Sequence, residues 1–127
     1  MKKLIKAVPM LVLGLCLSAF PATAGTWNVD IHAGWFFGSW VPYASYSNSY
    51  SAPNGATVAW YCYAYGGSGS YARVYATAPG VYIDETVYDN SEDYSNQNLT
   101  SAGSVNMFLE TGASGGGGTG CGITIAW

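Results

Sequence analysis

The sequence predicts an all-β fold: a small antiparallel β-sandwich of about seven strands with one inter-strand disulfide. Three observations point there. Apolar residues recur with period two almost throughout the chain after residue 24, and no stretch there shows a convincing helical period. β-Branched and aromatic residues are plentiful, which suits pleated surfaces. Gly, Pro and Asn punctuate the alternating runs at regular intervals, as the turns of a sandwich or small barrel require.

The elements follow in order. The chain opens with Lys2, Lys3 and Lys6, runs through apolar residues 7–17 (AVPMLVLGLCL), and reaches Ala22-Thr23-Ala24. A basic start, a short apolar core and an A-x-A site read as a secretory signal peptide over 1–24. The apolar run is too short for a membrane span, which takes roughly 20 residues. Leu15 precedes Cys16 where a lipoprotein site takes a small residue. The mature form, 25–127, is expected to be a single secreted domain without a membrane span. It would be extracellular, or periplasmic in a Gram-negative host.

In the first strand, residues 27–37, Trp27, Val29, Ile31, Ala33, Trp35 and Phe37 alternate with Asn28, Asp30, His32 and Gly34. A second strand is expected over 41–47, with Pro42 marking an edge. Residues 49–55, ending in Pro53-Asn54-Gly55, read as a turn region. Residues 57–65 (TVAWYCYAY) form the third strand, and Gly66-Gly67-Ser68-Gly69 connects it to a fourth over 70–78. Pro79-Gly80 turns the chain into 81–88. There Glu85 breaks the apolar parity of Val81, Ile83 and Val87, which reads as a bulge rather than a catalytic acid. Residues 89–101 are polar and acidic and read as a surface loop. Residues 104–111 form a sixth strand. Residues 112–120 (GASGGGGTG) are a flexible connector that lets the last strand, 121–127, reach a non-neighbouring partner.

Parity also places the cysteines. Cys62 shares a face with Val58, Trp60 and Ala64, and Cys121 with Ile123, Ile125 and Trp127. Two such cysteines in an exported chain most simply pair. That closure is worth about 4 kcal/mol in the chain-entropy model. Free thiols or metal ligation are the alternatives, and a single histidine makes a poor zinc site.

Charge narrows the function. Beyond the leader, Arg73 is the one base against seven acids, a formal charge of −6. Such a chain cannot neutralise a phosphate backbone, which argues against nucleic acid. Anionic lipid is disfavoured for the same reason. Asp30 and His32, two residues apart, could suggest hydrolysis, but no G-x-S-x-G elbow accompanies them. A solvent-facing strand histidine is the simpler reading. No enzyme is expected, and no catalytic, cofactor-binding or metal residues. Asp89, Asn90, Glu92, Asp93 and Asn96 offer oxygen ligands for calcium in no spacing that defines a loop site; a solvated acidic loop accounts for them.

The tyrosines carry the functional hint. Tyr61, Tyr63, Tyr65, Tyr71 and Tyr75, with Arg73 among them, fall opposite the apolar strand faces, as do Tyr82 and Tyr88. The first five and Arg73 form a candidate binding surface, since tyrosine offers an apolar face and a polar tip at low entropy cost. It could stack on sugars, dock on a protein or join copies of the chain. If both faces of the sheet were covered, the same tyrosines would be core. The alternating end Ile123, Ile125, Trp127 also suits an outer-membrane barrel, whose strands would nearly use up this chain.

Gly25-Thr26-Trp27, residues 43–50 (YASYSNSY), Gly55-Ala56-Thr57-Val58 and residues 72–78 (ARVYATA) resemble the lactococcin family of secreted bacteriocins. The likeness covers about the first two thirds of the mature chain. It implies a small β-sandwich that acts from outside the cell by binding lipid II and blocking septum formation, without pores or catalysis. The expected partner is a cell-surface or cell-wall component. The alternative is an extracellular structural, adhesive or glycan-binding protein that uses its tyrosine-rich face or associates with itself.

Overall fold

A strand that alternates apolar and polar residues must bury one face, and two sheets laid face to face satisfy every such strand at once. The computed structural model describes residues 23–127, so nearly all of the assigned leader lies outside the described residues. Nine strands follow: β1 (Thr26–Phe36), β2 (Ser39–Val41), β3 (Tyr43–Ala52), β4 (Thr57–Tyr65), β5 (Tyr71–Ala78), β6 (Val81–Tyr88), β7 (Ser91–Asn98), β8 (Gly103–Gly112) and β9 (Gly118–Ala126). Sheet one has the order β2-β1-β9-β4-β7 and sheet two the order β3-β8-β5-β6. Every neighbouring pair is antiparallel. No helix among the described residues is long and apolar enough to cross a membrane.

The core lies between the sheets. Val58, Trp60, Cys62 and Ala64 of β4 and Cys121, Ile123 and Ile125 of β9 meet Ala72, Val74 and Ala76 of β5 and Val105, Met107 and Leu109 of β8. Each buried Ile or Leu side chain contributes roughly 1.5–3 kcal/mol. The Trp60 indole N–H is buried among them without a hydrogen-bond partner.

The glycine-rich connector does what its composition suggested. It carries the chain from β8 in sheet two across to sheet one, where β9 inserts between β1 and β4. Backbones crowd at this crossing: a Cβ on Gly34 would stand 2.7 Å from the Gly117 carbonyl oxygen. β8 likewise separates β3 from β5. Residues 90–127 therefore supply an inner strand of each sheet, β9 in sheet one and β8 in sheet two.

Several expectations are corrected. Residues 89–101 are not a loop. They contain β7, which pairs with β4 from Thr57↔Asn98 to Ala64↔Ser91. Its eight polar residues gave no apolar alternation because β7 is an edge strand whose side chains are mostly exposed. The second strand runs on to Ala52, through Ser49, because its register with β8 is unbroken. Glu85 makes no bulge: β6 stays in register with β5 from Tyr71↔Tyr88 to Ala78↔Val81. Glu85 instead sits on the inward parity of an edge strand and reaches solvent, a charge placed where it blunts the edge. Trp35 and Phe37 are exposed rather than core. β1 outruns its partner there, since β9 pairs with it only as far as Ala33, and the last residues join β2 in a hairpin. Phe37 (φ 50°) and Gly38 (φ 81°) form its tight turn, the left-handed pair that such hairpins demand.

Candidate binding surface

The six residues read as one surface lie on two. Tyr61, Tyr63 and Tyr65 project from the outer face of sheet one; Tyr71, Arg73 and Tyr75 project from the outer face of sheet two. Parity set these residues opposite the apolar strand faces; it says neither whether that side is covered nor which sheet a strand joins.

On sheet two, Arg73 is already engaged. Its Nε and Nη2 each donate to Asp84 Oδ1 at 3.1 Å, and Nη1 lies 4.0 Å from Glu110 Oε1. The guanidinium also sits 5.6 Å from the Tyr75 ring centroid. Glu110 Oε2 accepts from the Tyr71 hydroxyl at 3.0 Å. Arg73, the one Lys or Arg among the described residues, is thus spent on local carboxylates and offers little to an incoming anion.

Sheet one presents a different surface. The registers align His32, Gly120, Tyr63 and Glu92 across β1, β9, β4 and β7, and Asp30, Gly122, Tyr61 and Tyr94 in the next row. The Tyr61 and Tyr63 rings are nearly parallel, 8° apart with centroids 6.3 Å apart, and Tyr65 follows at 5.8 Å. They have room because the central strand carries glycine. A Cβ on Gly120 would meet His32 Nδ1 at 2.5 Å and the Tyr63 ring at 2.9 Å; one on Gly122 would meet the Tyr61 ring at 2.6 Å. Polar groups tie the rings together. His32 Nε2 bonds Asp30 Oδ2 at 3.0 Å and Nδ1 bonds the Tyr63 hydroxyl at 3.1 Å. The Tyr65 hydroxyl donates to Glu92. Phe36 extends the aromatic line, 5.9 Å from His32.

Asp30 and His32 therefore belong to this surface, His32 bonding the Asp30 carboxylate through one ring nitrogen and the Tyr63 hydroxyl through the other. Glu92, Gly120 and Gly122 were missed from the sequence. The signal for the glycines was present: Gly118, Gly120 and Gly122 repeat at strand period, which a reading of the segment as mere connector overlooks. The acidic side chains weighed for calcium have other partners among the described residues. Asp89 accepts from the Ser70 N–H at 3.1 Å, Glu92 from Tyr65, and Asp93 from the Tyr94 N–H at 2.8 Å, each turned to its own partner.

The cysteines need a correction. Cys62 and Cys121 are directly opposite in the β4–β9 register and both buried, yet both are free thiols. Each has its own neighbour. Cys121 Sγ donates to the Arg73 carbonyl at 3.4 Å, with the Glu110 carbonyl at 3.7 Å. Cys62 lies against the Asp93 backbone.

Burial pushes both thiols from their ordinary 9.0 up to about 12. Burial, then the Asp30 charge, pushes Tyr61 from 10.0 to about 12, and burial with the Glu110 bond does the same for Tyr71. These groups stay neutral in the fold more readily than in the unfolded chain. Their contribution is fully present below pH 9 and is lost as pH rises from 9 toward 12. Melting temperature is expected to fall steeply in that window, and Tyr61→Phe is expected to flatten the fall. A thermal scan series across it checks both.

No protein-family model matches this chain, and no curated protein matches it.

Proposed function

We propose that this chain is an exported protein that works by binding, without chemistry of its own. Its target is a glycan-bearing component of a bacterial cell surface, engaged through the outer face of sheet one. The row of parallel tyrosines over the glycines of β9, flanked by Asp30, His32 and Glu92, carries this reading. The apolar face of a sugar ring stacks on an aromatic ring, and its hydroxyls bond to carboxylates and phenols. With one base, and that one engaged, the domain suits a neutral glycan better than a phosphate. The direct test is co-sedimentation with insoluble peptidoglycan and with cellulose, comparing the unaltered protein with Tyr61→Ala/Tyr63→Ala. Binding lost in the double variant supports the reading; no sedimentation with either polymer refutes it.

The second reading is a bacteriocin-like antimicrobial. Two of the segments that resemble the lactococcin family, in β3 and β5, flank β8 side by side in sheet two. Growth inhibition of related bacteria by purified protein tests it. Glycan binding without inhibition leaves an adhesive or structural role.

Oxidation on export is part of the same proposal. A disulfide-donating oxidoreductase would take two electrons and two protons from Cys62 and Cys121 as their S–S bond forms, and direct opposition in the register favours the pair. Non-reducing mass spectrometry of secreted material decides this. Two alkylatable thiols would exclude the bridge.

A further inference from the structure

The two sheets end in four edge strands, and three of them are blunted. β2 is three residues long. β7 carries Glu92 and Asp93. β6 carries Asp84 and the inward-parity Glu85, and Gln97 occupies its open side: Oε1 accepts from the Tyr82 N–H at 3.0 Å and Nε2 donates to the Tyr82 carbonyl at 2.9 Å. Short strands, charges and covering groups are how sheets avoid pairing with further chains.

β3 is neither short nor charged. It runs ten residues (YASYSNSYSA) with no charged side chain, and Ser45, Ser47, Ser49 and Ser51 are exposed. Its register with β8 is continuous from end to end. The Ala113 N–H bonds the Pro42 carbonyl at 3.0 Å, which fixes the phase of the ladder. Even-numbered residues of β3 aim their backbone groups at β8; Tyr43, Ser45, Ser47, Ser49 and Ser51 aim theirs away. The Ser49 N–H shows the consequence. It is bonded by the side chain of its neighbour, Asn48 Oδ1, at 2.8 Å, in the direction where another strand's carbonyl would stand.

We infer that the open edge of β3 is the docking site for the β3 of a second copy, pairing antiparallel to make one continuous eight-stranded sheet. Charge selects the occupant. The body is acidic, so copies meeting through β6 or β7 would bring carboxylates together, whereas two β3 edges bring together only uncharged side chains. Because the other edges are blunted, assembly closes at two copies. Centred on Ser47, the pairing sets Ser45 against Ser49 and Tyr43 against Ser51. The two-fold axis then stands perpendicular to the sheet, so inner faces stay inner. Both copies of sheet one lie on the same side, with their tyrosine rows turned the same way. The dimer rests on the edge alone and does not depend on the glycan reading.

Sedimentation velocity across micromolar to millimolar concentration tests it. The unaltered protein is expected to pass from monomer to dimer. Ser47→Pro removes an outward N–H that β8 does not use, and Ser47→Lys places like charges directly opposite across the axis. Each is expected to raise the dissociation constant by about tenfold or more. Thr86→Lys on β6 is expected to leave it unchanged. Circular dichroism checks that each variant is folded. A monomer at every concentration, or a dimer that survives both Ser47 variants, overturns the inference.

Discussion

Ile123→Ala is expected to lower stability by about 3–4 kcal/mol, within the range found when a buried Ile is truncated. Ile123 is 1 % exposed and sits mid-way along β9, opposite Val29 on one side and Trp60 on the other. The strand cannot shift to fill the hole, since it is hydrogen-bonded on both edges. A domain of about 100 residues commonly has 5–15 kcal/mol in all. The loss is therefore a large share of the total. Urea denaturation measures it as a shift in midpoint at constant slope. A midpoint that does not move would mean that sheet one tolerates a defect at its centre.

If sheet one binds glycan as proposed, Gly120→Val is expected to lower that affinity by at least about tenfold, a change of roughly 1.4 kcal/mol. The new side chain would stand where the Tyr63 ring and His32 Nδ1 now lie. Both rings must swing out, and the bond between them breaks. Gly118→Ala provides the control, because a Cβ there meets nothing within 4 Å. Affinity for the glycan polymer, read by co-sedimentation, should separate the two variants. Equal loss in both would point to a general effect on β9 rather than to the ring platform.

Most of the fold was legible because the core strands are amphipathic. Val58, Trp60, Cys62 and Ala64 alternate with Ala59, Tyr61, Tyr63 and Tyr65, and this fixes both strand type and buried face. β7 was not legible. As an edge strand it buries too little to show alternation, and its acidic residues read as a loop. Trp35 and Phe37 misled for the converse reason: at Trp35 the strand had run beyond its pairing with β9, and Phe37 lies in the turn that follows. The candidate surface was half legible. That the tyrosines lie opposite the apolar strand faces follows from parity, whereas which side is left open and how they divide between sheets depend on pairings between residues far apart in sequence. The glycine platform needed the register of β9, which only the fold supplies.

The position of β9 has a consequence for how the chain reaches this state. β1 and β4 have no ladder with each other; β9 pairs with both. A chain that emerges N-terminus first holds these two strands apart until the last of the nine arrives. Sheet one is then completed in a single late step, closing contacts across nearly the whole sequence. Long-range closure of this kind is slow. Until the last strand arrives, β1 and β4 have no shared neighbour to hold them in one sheet.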